Sequence, residues 1–187
     1  MNKKITFLGI ETSCDETAAA VIRENEKDTA EILSNVVSSQ IEEHKEFGGV
    51  VPELAARAHL ENIEFIIDKA LKDSKISLKE IDGVAATAGP GLVVCLTVGL
   101  NIGKSIAAFS NKPFIGVNHL EGHALSPGLE NKIELASQSL HMSGGGVYTT
   151  DSFFSKYINT CLGAITKLSK RNKTVCIQKL LNSSKCI

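Results

Sequence analysis

The sequence has no tryptophan, only 4 prolines, and no run of about eighteen uncharged apolar residues of the kind a membrane-spanning helix needs. Its longest apolar stretch, Gly91 to Phe109, is interrupted by Asn101 and Lys104, which excludes a simple membrane span and leads us to expect a soluble protein with no membrane partner. The start, Met1-Asn2-Lys3-Lys4, is basic, but the apolar stretch behind it is short and runs into Glu11, which makes a poor signal peptide. The 5 cysteines lack paired spacing, so they fit thiols in a reducing compartment, and a cytoplasmic location is expected. Walker and Rossmann phosphate-binding fingerprints are also missing.

What is present, 187 residues with 43% apolar and 22% charged side chains, suffices for one core of ordinary size. The net charge of -1 hides a split, because residues 1-134 carry -7 while residues 135-187 carry +6, with Asp151 as their single acid. Cys161, Cys176 and Cys186 also fall in the basic part. The change marks a boundary near Glu134, giving an N-terminal domain over 1-134 and a tail over 135-187.

Apolar spacing predicts strands over Lys4–Ser13 and Thr17–Arg23, joined by the polar turn Cys14-Asp15-Glu16, and a third over Ala30–Ser39. Ile41 to Gly49 reads as a polar connection. Pro52 then suits the first turn of a helix, on which Leu54, Ala55, Ala58, Ile63, Ile66, Ile67, Ala70 and Leu71 recur at helical spacing. Ile81–Ala88 is a strand of small residues ending at Gly89-Pro90-Gly91, Leu92–Phe109 a helix apolar almost all round and so expected to be buried, and Pro113–His119 a further strand. A three-strand meander followed by helix, strand, helix, strand implies an α/β sheet with helices on its faces. The order is similar to the actin/hexokinase/Hsp70-like ATPase fold, of which this would be the first of two domains.

Glu11-Thr12-Ser13-Cys14-Asp15-Glu16-Thr17 packs acids and hydroxyls into a strand-to-strand turn. Carboxylates there can orient a proton or a metal, and hydroxyls and amides can hold phosphate; the same residues also make an ordinary solvated turn. Asn118-His119-Leu120-Glu121-Gly122-His123 places two histidines four apart, on one face if the chain is helical there, a spacing that lets two imidazoles share a metal. A pair of histidines at a helix N-terminus is the plainer alternative. The likeness to the His-Glu-x-x-His of zinc peptidases is weakened because the glutamate is one position late, about 100° round a helix. The glycine turns at Gly48-Gly49, Gly89-Pro90-Gly91 and Gly144-Gly145-Gly146 can approach phosphate or simply punctuate the fold. His59 and Arg57 are expected on a helix surface, and Cys14 and Cys95 as buried small residues.

Taken together, Gly9–Thr17, Gly48–His59, Thr87–Leu92 and Asn118–His123 resemble the tRNA N6-adenosine threonylcarbamoyltransferase family, formerly described as O-sialoglycoprotein endopeptidases, from about Ile5 to Glu134. The resemblance implies transfer of a threonylcarbamoyl group from threonylcarbamoyl-AMP to N6 of adenosine 37 in tRNAs reading codons that begin with A. By position it implies Asp15 and Glu16 at the reacting centre, Thr12, Ser13, Ser143, Gly144 and Gly145 as substrate-binding residues, and one divalent metal, iron or zinc, on His119 and His123. It also implies tRNA and accessory proteins of the threonylcarbamoyladenosine pathway as partners, among them a paralogous subunit of the same ATPase-like fold. Because tRNA is then shared with partners, a negative half raises no conflict.

Beyond Glu134 the family pattern of an apolar strand ending in Ser-Gly-Gly-His-Thr is not followed. Leu135 to Met142 is too polar for a buried strand, and Gly146 stands where the histidine is expected. Tyr148 to Ser152 can be encoded by codons whose one-base-shifted reading is Thr-Gln-Leu-Ile-Leu, which suggests a disrupted reading frame, with a divergent extension as the alternative. Such a copy would have an incomplete metal site and no transfer activity by itself, leaving a non-catalytic remnant or partner-binding module as the other function class. The tail is expected to be poorly ordered, since Phe153-Phe154 and Leu180-Leu181 belong to no sustained period. Limited proteolysis should therefore trim the chain from about Leu135 onward and spare the preceding part; a protease-resistant C-terminal part would favour a genuine second module.

Overall fold

A computed structural model of the protein describes residues 4–24, 30–120 and 122. Strand β1 (Thr6–Glu11) is buried along its whole length, Leu8 and Ile10 on one face and Phe7 on the other, because it lies at the centre of a five-stranded sheet. β2 (Glu16–Glu24) and β3 (Ala30–Ser39) extend it as an antiparallel meander, with Leu8 opposite Val21 and Ala19 opposite Val36. On its other side β4 (Gly83–Gly89) pairs in parallel, followed by β5 (Phe114–Asn118), so the sheet order is β3-β2-β1-β4-β5. Parallel neighbours need long crossovers. Two helices supply them, α2 (Pro52–Ser74) before β4 and α3 (Val93–Phe109) between β4 and β5. This is the α/β, actin/hexokinase-like arrangement expected from the element order.

Both long helices lie on the same face and touch one another, α2 over β2 and β3, α3 over β4, β1 and β5. Ile63, Ile66, Ile67 and Ala70 of α2 close with Leu8, Ile10, Val21, Val84 and Val98 into one core cluster. Complete burial of a side chain such as Leu8 contributes about 1.5–3 kcal/mol. α2 starts on Pro52, whose missing N–H is no loss in a first turn, and stops at Lys75, which takes a left-handed φ of 58° while its N–H bonds back to Leu71 and Lys72.

Two expectations change. The polar connection 41–49 contains a short helix, α1 (Ile41–His44), running into a 3-10 turn at Lys45–Phe47, because His44 is drawn into the interior while its acidic neighbours Glu42 and Glu43 stay outside. α3 is not buried all round. Cys95, Leu96, Val98, Gly99, Gly103 and Ala107 face the sheet, but Val93 is 76% and Phe109 90% exposed. An apolar composition without a polar stripe does not reveal which side a helix turns inward.

One hydroxyl ties the middle of α3 to the sheet. Thr12, just beyond β1, donates from Oγ1 to the Cys95 carbonyl (2.8 Å) and accepts from the Gly99 N–H (3.1 Å), the two ends of one helical i, i+4 pair. Such an approach needs glycine, because a Cβ at position 99 would stand 2.5 Å from Thr12 Oγ1. Gly99→Ala should therefore destabilise the protein by ~1–3 kcal/mol through overpacking, read as a lower urea midpoint at unchanged m-value.

Candidate functional site

The ends of β1, β4 and β5 and the start of α3 meet at one place. Glu11, 5% exposed, accepts the Ser13 N–H on one carboxylate oxygen and the Thr87 hydroxyl of β4 on the other. Ser13 gives its carbonyl to the Leu92 N–H at the head of α3 (2.8 Å), and its Oγ lies 3.3 Å from His119 Nδ1 at the end of β5. Gly91 makes this packing possible, since a Cβ there would come within 2.8 Å of the Ser13 carbonyl oxygen. In open α/β sheets the carboxyl ends of the parallel strands are where ligands bind.

Asp15 and Glu16 stand half-buried beside this junction, Glu16 already in β2 and opposite Ser39 of β3. Ser13, Asp15, Glu16 and His119 thus belong to one neighbourhood of strand ends. Thr12, placed with them by sequence, is 1% exposed and its hydroxyl engages α3 as both donor and acceptor. His123, Ser143, Gly144 and Gly145 lie outside the described residues.

The largest correction concerns His59. It is not on the surface but fully buried on α2, while Arg57 beside it is exposed. Its Nε2 is 3.0 Å from the Cys14 carbonyl, which can only accept, so Nε2 carries the hydrogen and Nδ1 is an acceptor. Nδ1 accordingly meets two donors, the Thr17 hydroxyl at 2.7 Å and the Gln40 amide nitrogen at 3.1 Å. The Gln40 carbonyl oxygen is then left to accept from His44 Nε2 (3.4 Å), and His44 Nδ1 accepts from the Val51 N–H (3.4 Å). The network therefore runs from one backbone group to another through two neutral histidines. His44 was missed in the sequence because it sits in the segment read as a connection, and Gln40 because it falls between that segment and the strand before it. His59 had a usable signal, as it falls four residues from both Ala55 and Ile63 on the apolar face.

Burial lowers the pKa of His59 most, opposed by its bond to Cys14 and by the Glu11 and Asp15 carboxylates, with His44 lowering it further. Burial also lowers that of His119. Neither of the two cysteines among the described residues suits thiolate chemistry. Cys14 is exposed, contrary to expectation, yet its partly desolvated sulfur and the adjoining Asp15 push its thiol up to about 12, and burial pushes Cys95 up to about 11. Among the described residues no group of three or more His, Cys, Asp or Glu side chains is placed to hold a metal ion. His119 itself fits a ligand's part, for the tautomer that donates from Nδ1 to Ser13 Oγ is the one whose Nε2 can coordinate.

Folded-state histidine pKa values below the ordinary 6.5 have a definite sign. The unfolded chain takes up protons first as pH falls, so the stability is complete above 6.5 and is lost as pH drops through the lowered folded values. Urea midpoints should accordingly fall between about pH 7.5 and 5, and less steeply in His59→Gln, which cannot titrate. An equal slope in both proteins would assign the loss elsewhere.

The sequence model of the TsaD family, tRNA N6-adenosine threonylcarbamoyltransferase, matches residues 31–157, a span that continues past Glu134. The tRNA N6-adenosine threonylcarbamoyltransferase of Pelagibacter ubique is 59% identical over 145 residues, 78% of this chain and 41% of that protein. That of Chelativorans sp. is 57% identical over 138 residues, 74% of this chain and 38% of that protein. The chain thus spans about two fifths of the length of these curated relatives. Among solved structures, Thermus thermophilus RuvC in complex with a Holliday junction substrate superposes with a TM-score of 0.54 at 12% identity over 90% of this chain and 97% of that one, a likeness of fold alone. With two thirds of its length matched by the family model, and motif residues gathered at the carboxyl ends of its sheet, the chain belongs to the tRNA N6-adenosine threonylcarbamoyltransferase family.

Proposed function

We propose that this chain contributes the first, ATPase-like domain, over 1-134, to transfer of a threonylcarbamoyl group from threonylcarbamoyl-AMP to N6 of adenosine 37 in tRNA. The observation that carries this reading is the gathering of Asp15, Glu16, Ser13 and His119 at the strand ends of a chain in that family. In the reaction the N6 nitrogen bonds to the carbamoyl carbon, the bond from that carbon to the adenylate oxygen breaks, AMP departs, and N6 gives up a proton. A half-buried carboxylate suits the acceptor of that proton, and Asp15 and Glu16 are the residues assigned to it. Ser13 would bind substrate beside them, joined by Ser143, Gly144 and Gly145 from the sequence motif. A divalent metal, iron or zinc, would be held by His119 together with His123 and would supply Lewis-acid polarisation of the acyl group. Partners on this reading are tRNA and the accessory proteins of the pathway, including the paralogous subunit of like fold, in the cytoplasm. The segment 135-187 is then a divergent or frame-disrupted tail outside this domain.

The test supplies the chain with accessory proteins, threonylcarbamoyl-AMP, metal and substrate tRNA, and follows adenosine 37 by mass spectrometry. The chain by itself is expected to leave adenosine 37 unmodified; modification that appears with the accessory proteins and falls about a hundredfold or more in Asp15→Ala is the result expected of the transfer reading. An adenosine 37 left unmodified by the wild-type chain with the accessory proteins present would instead favour a non-catalytic, partner-binding module.

A further inference from the structure

The two peptide groups that flank Asp15 are held from outside the turn. The carbonyl before it, that of Cys14, accepts from His59 Nε2 at 3.0 Å, and its own carbonyl accepts from the Gln40 N–H at 3.0 Å. Peptide groups are planar, so anchoring the carbonyl on each side restricts rotation about the Asp15 Cα and, with it, the direction of its Cα–Cβ bond. The Gln40 side chain also supports His59 by donating to Nδ1, and Thr17 at the start of β2 does the same. The proximal donors of this arrangement are entirely buried, Gln40 and His59 each at 0% exposure.

We infer that His59, supported by Gln40, is a positioning residue that aims Asp15 at the reacting centre through the Cys14 carbonyl. This rests on the assignment of Asp15 to threonylcarbamoyl transfer. His59 touches no substrate in this scheme; it acts on the backbone of the residue that does. The neutral Nε2–H tautomer is required, because only it donates to Cys14 while accepting from Thr17 and Gln40. The charged and titratable groups whose fields act on the ring are Glu11 at the end of β1, Asp15 in the turn and His44 of α1.

The experiment separates the positioning role from the reaction by first reading the turn without substrate. In the full wild-type chain, long-range proton–nitrogen spectra should find the His59 hydrogen on Nε2; a hydrogen on Nδ1 overturns the inference, and this needs no variant. His59→Leu keeps bulk but removes the donor, whereas the longer amide of His59→Gln can reach the Cys14 carbonyl. Exchange of the Asp15 and Glu16 amide hydrogens should quicken about tenfold or more in His59→Leu and return to within about threefold of wild type in His59→Gln, while Leu8 and Val21 in the sheet are unchanged. Wild-type exchange in His59→Leu, or no rescue by His59→Gln, overturns the inference. In the transfer assay His59→Leu should lower kcat by about ten- to a hundredfold with KM for tRNA unaltered. A loosened turn with wild-type kcat removes the positioning role. A wild-type chain that transfers nothing with the accessory proteins present removes the proposed function instead, and the spectra and exchange still decide the geometry.

Discussion

The carboxyl end of β1 is tied to every neighbouring element through short-range polar contacts, and the organisation of the site depends on that anchoring. Glu11 joins it to β4 through Thr87, Thr12 joins it to the middle of α3, and Ser13 joins it to the head of α3 and to His119 of β5. Glu11, Thr12, Ser13 and Thr87 are almost completely buried, so the bonds they make are set where an unmet polar group would cost about 1–3 kcal/mol. The strand cannot end one residue earlier or later without leaving several such groups unpaired. A polar sequence that looks like an exposed turn is in this way drawn into the interior for three residues before it emerges at Cys14.

From there the constraint passes to the other side of the sheet. β2, the residue that follows β3 and α2 carry the Thr17, Gln40 and His59 contacts, so the helix that covers the meander also supports the turn at its edge. Two sets of contacts, one around Ser13 and one around Cys14, therefore converge on adjacent residues from the two halves of the sheet on either side of β1. Asp15 and Glu16 are the residues left half-exposed between them. The hydrogen bonds to the Cys14 and Asp15 carbonyls hold the backbone at that position.

Much of the fold was legible because strand and helix periods are local. The β1 pattern of Phe7, Leu8 and Ile10, the spacing of Ile63, Ile66 and Ile67, and the small residues of β4 each announced their element. The site was legible as motifs but not as geometry. Glu11 and Thr87 meet across 76 positions of sequence, and no periodicity connects them. The short helix at Ile41–His44 was hidden because its polar residues carried no apolar stripe, and the interior role of His44 comes from Gln40 and Val51, not from its own neighbours in a period. His59 was misjudged by chemical type. A titratable residue on the buried phase of a helix reads as surface until its partners are known, and those partners come from the turn, from β2 and from the segment after β3. The exposed Val93 and Phe109 show the converse, apolar residues on the outer side of α3 that composition alone assigned to the interior.

The bridging of Cys95 and Gly99 by Thr12 also has a mechanical consequence. A helix resting on a sheet through apolar contacts alone can slide along its axis or roll by a fraction of a turn at little cost, because such contacts have no direction. A hydroxyl set between a carbonyl and an N–H one turn apart removes both freedoms, since either movement breaks a directional bond in a dry place. α3 therefore behaves as a keyed shaft. Any force that moves it must carry Thr12 along, and with Thr12 the adjoining Ser13, so the head of the helix and the end of β1 are displaced together.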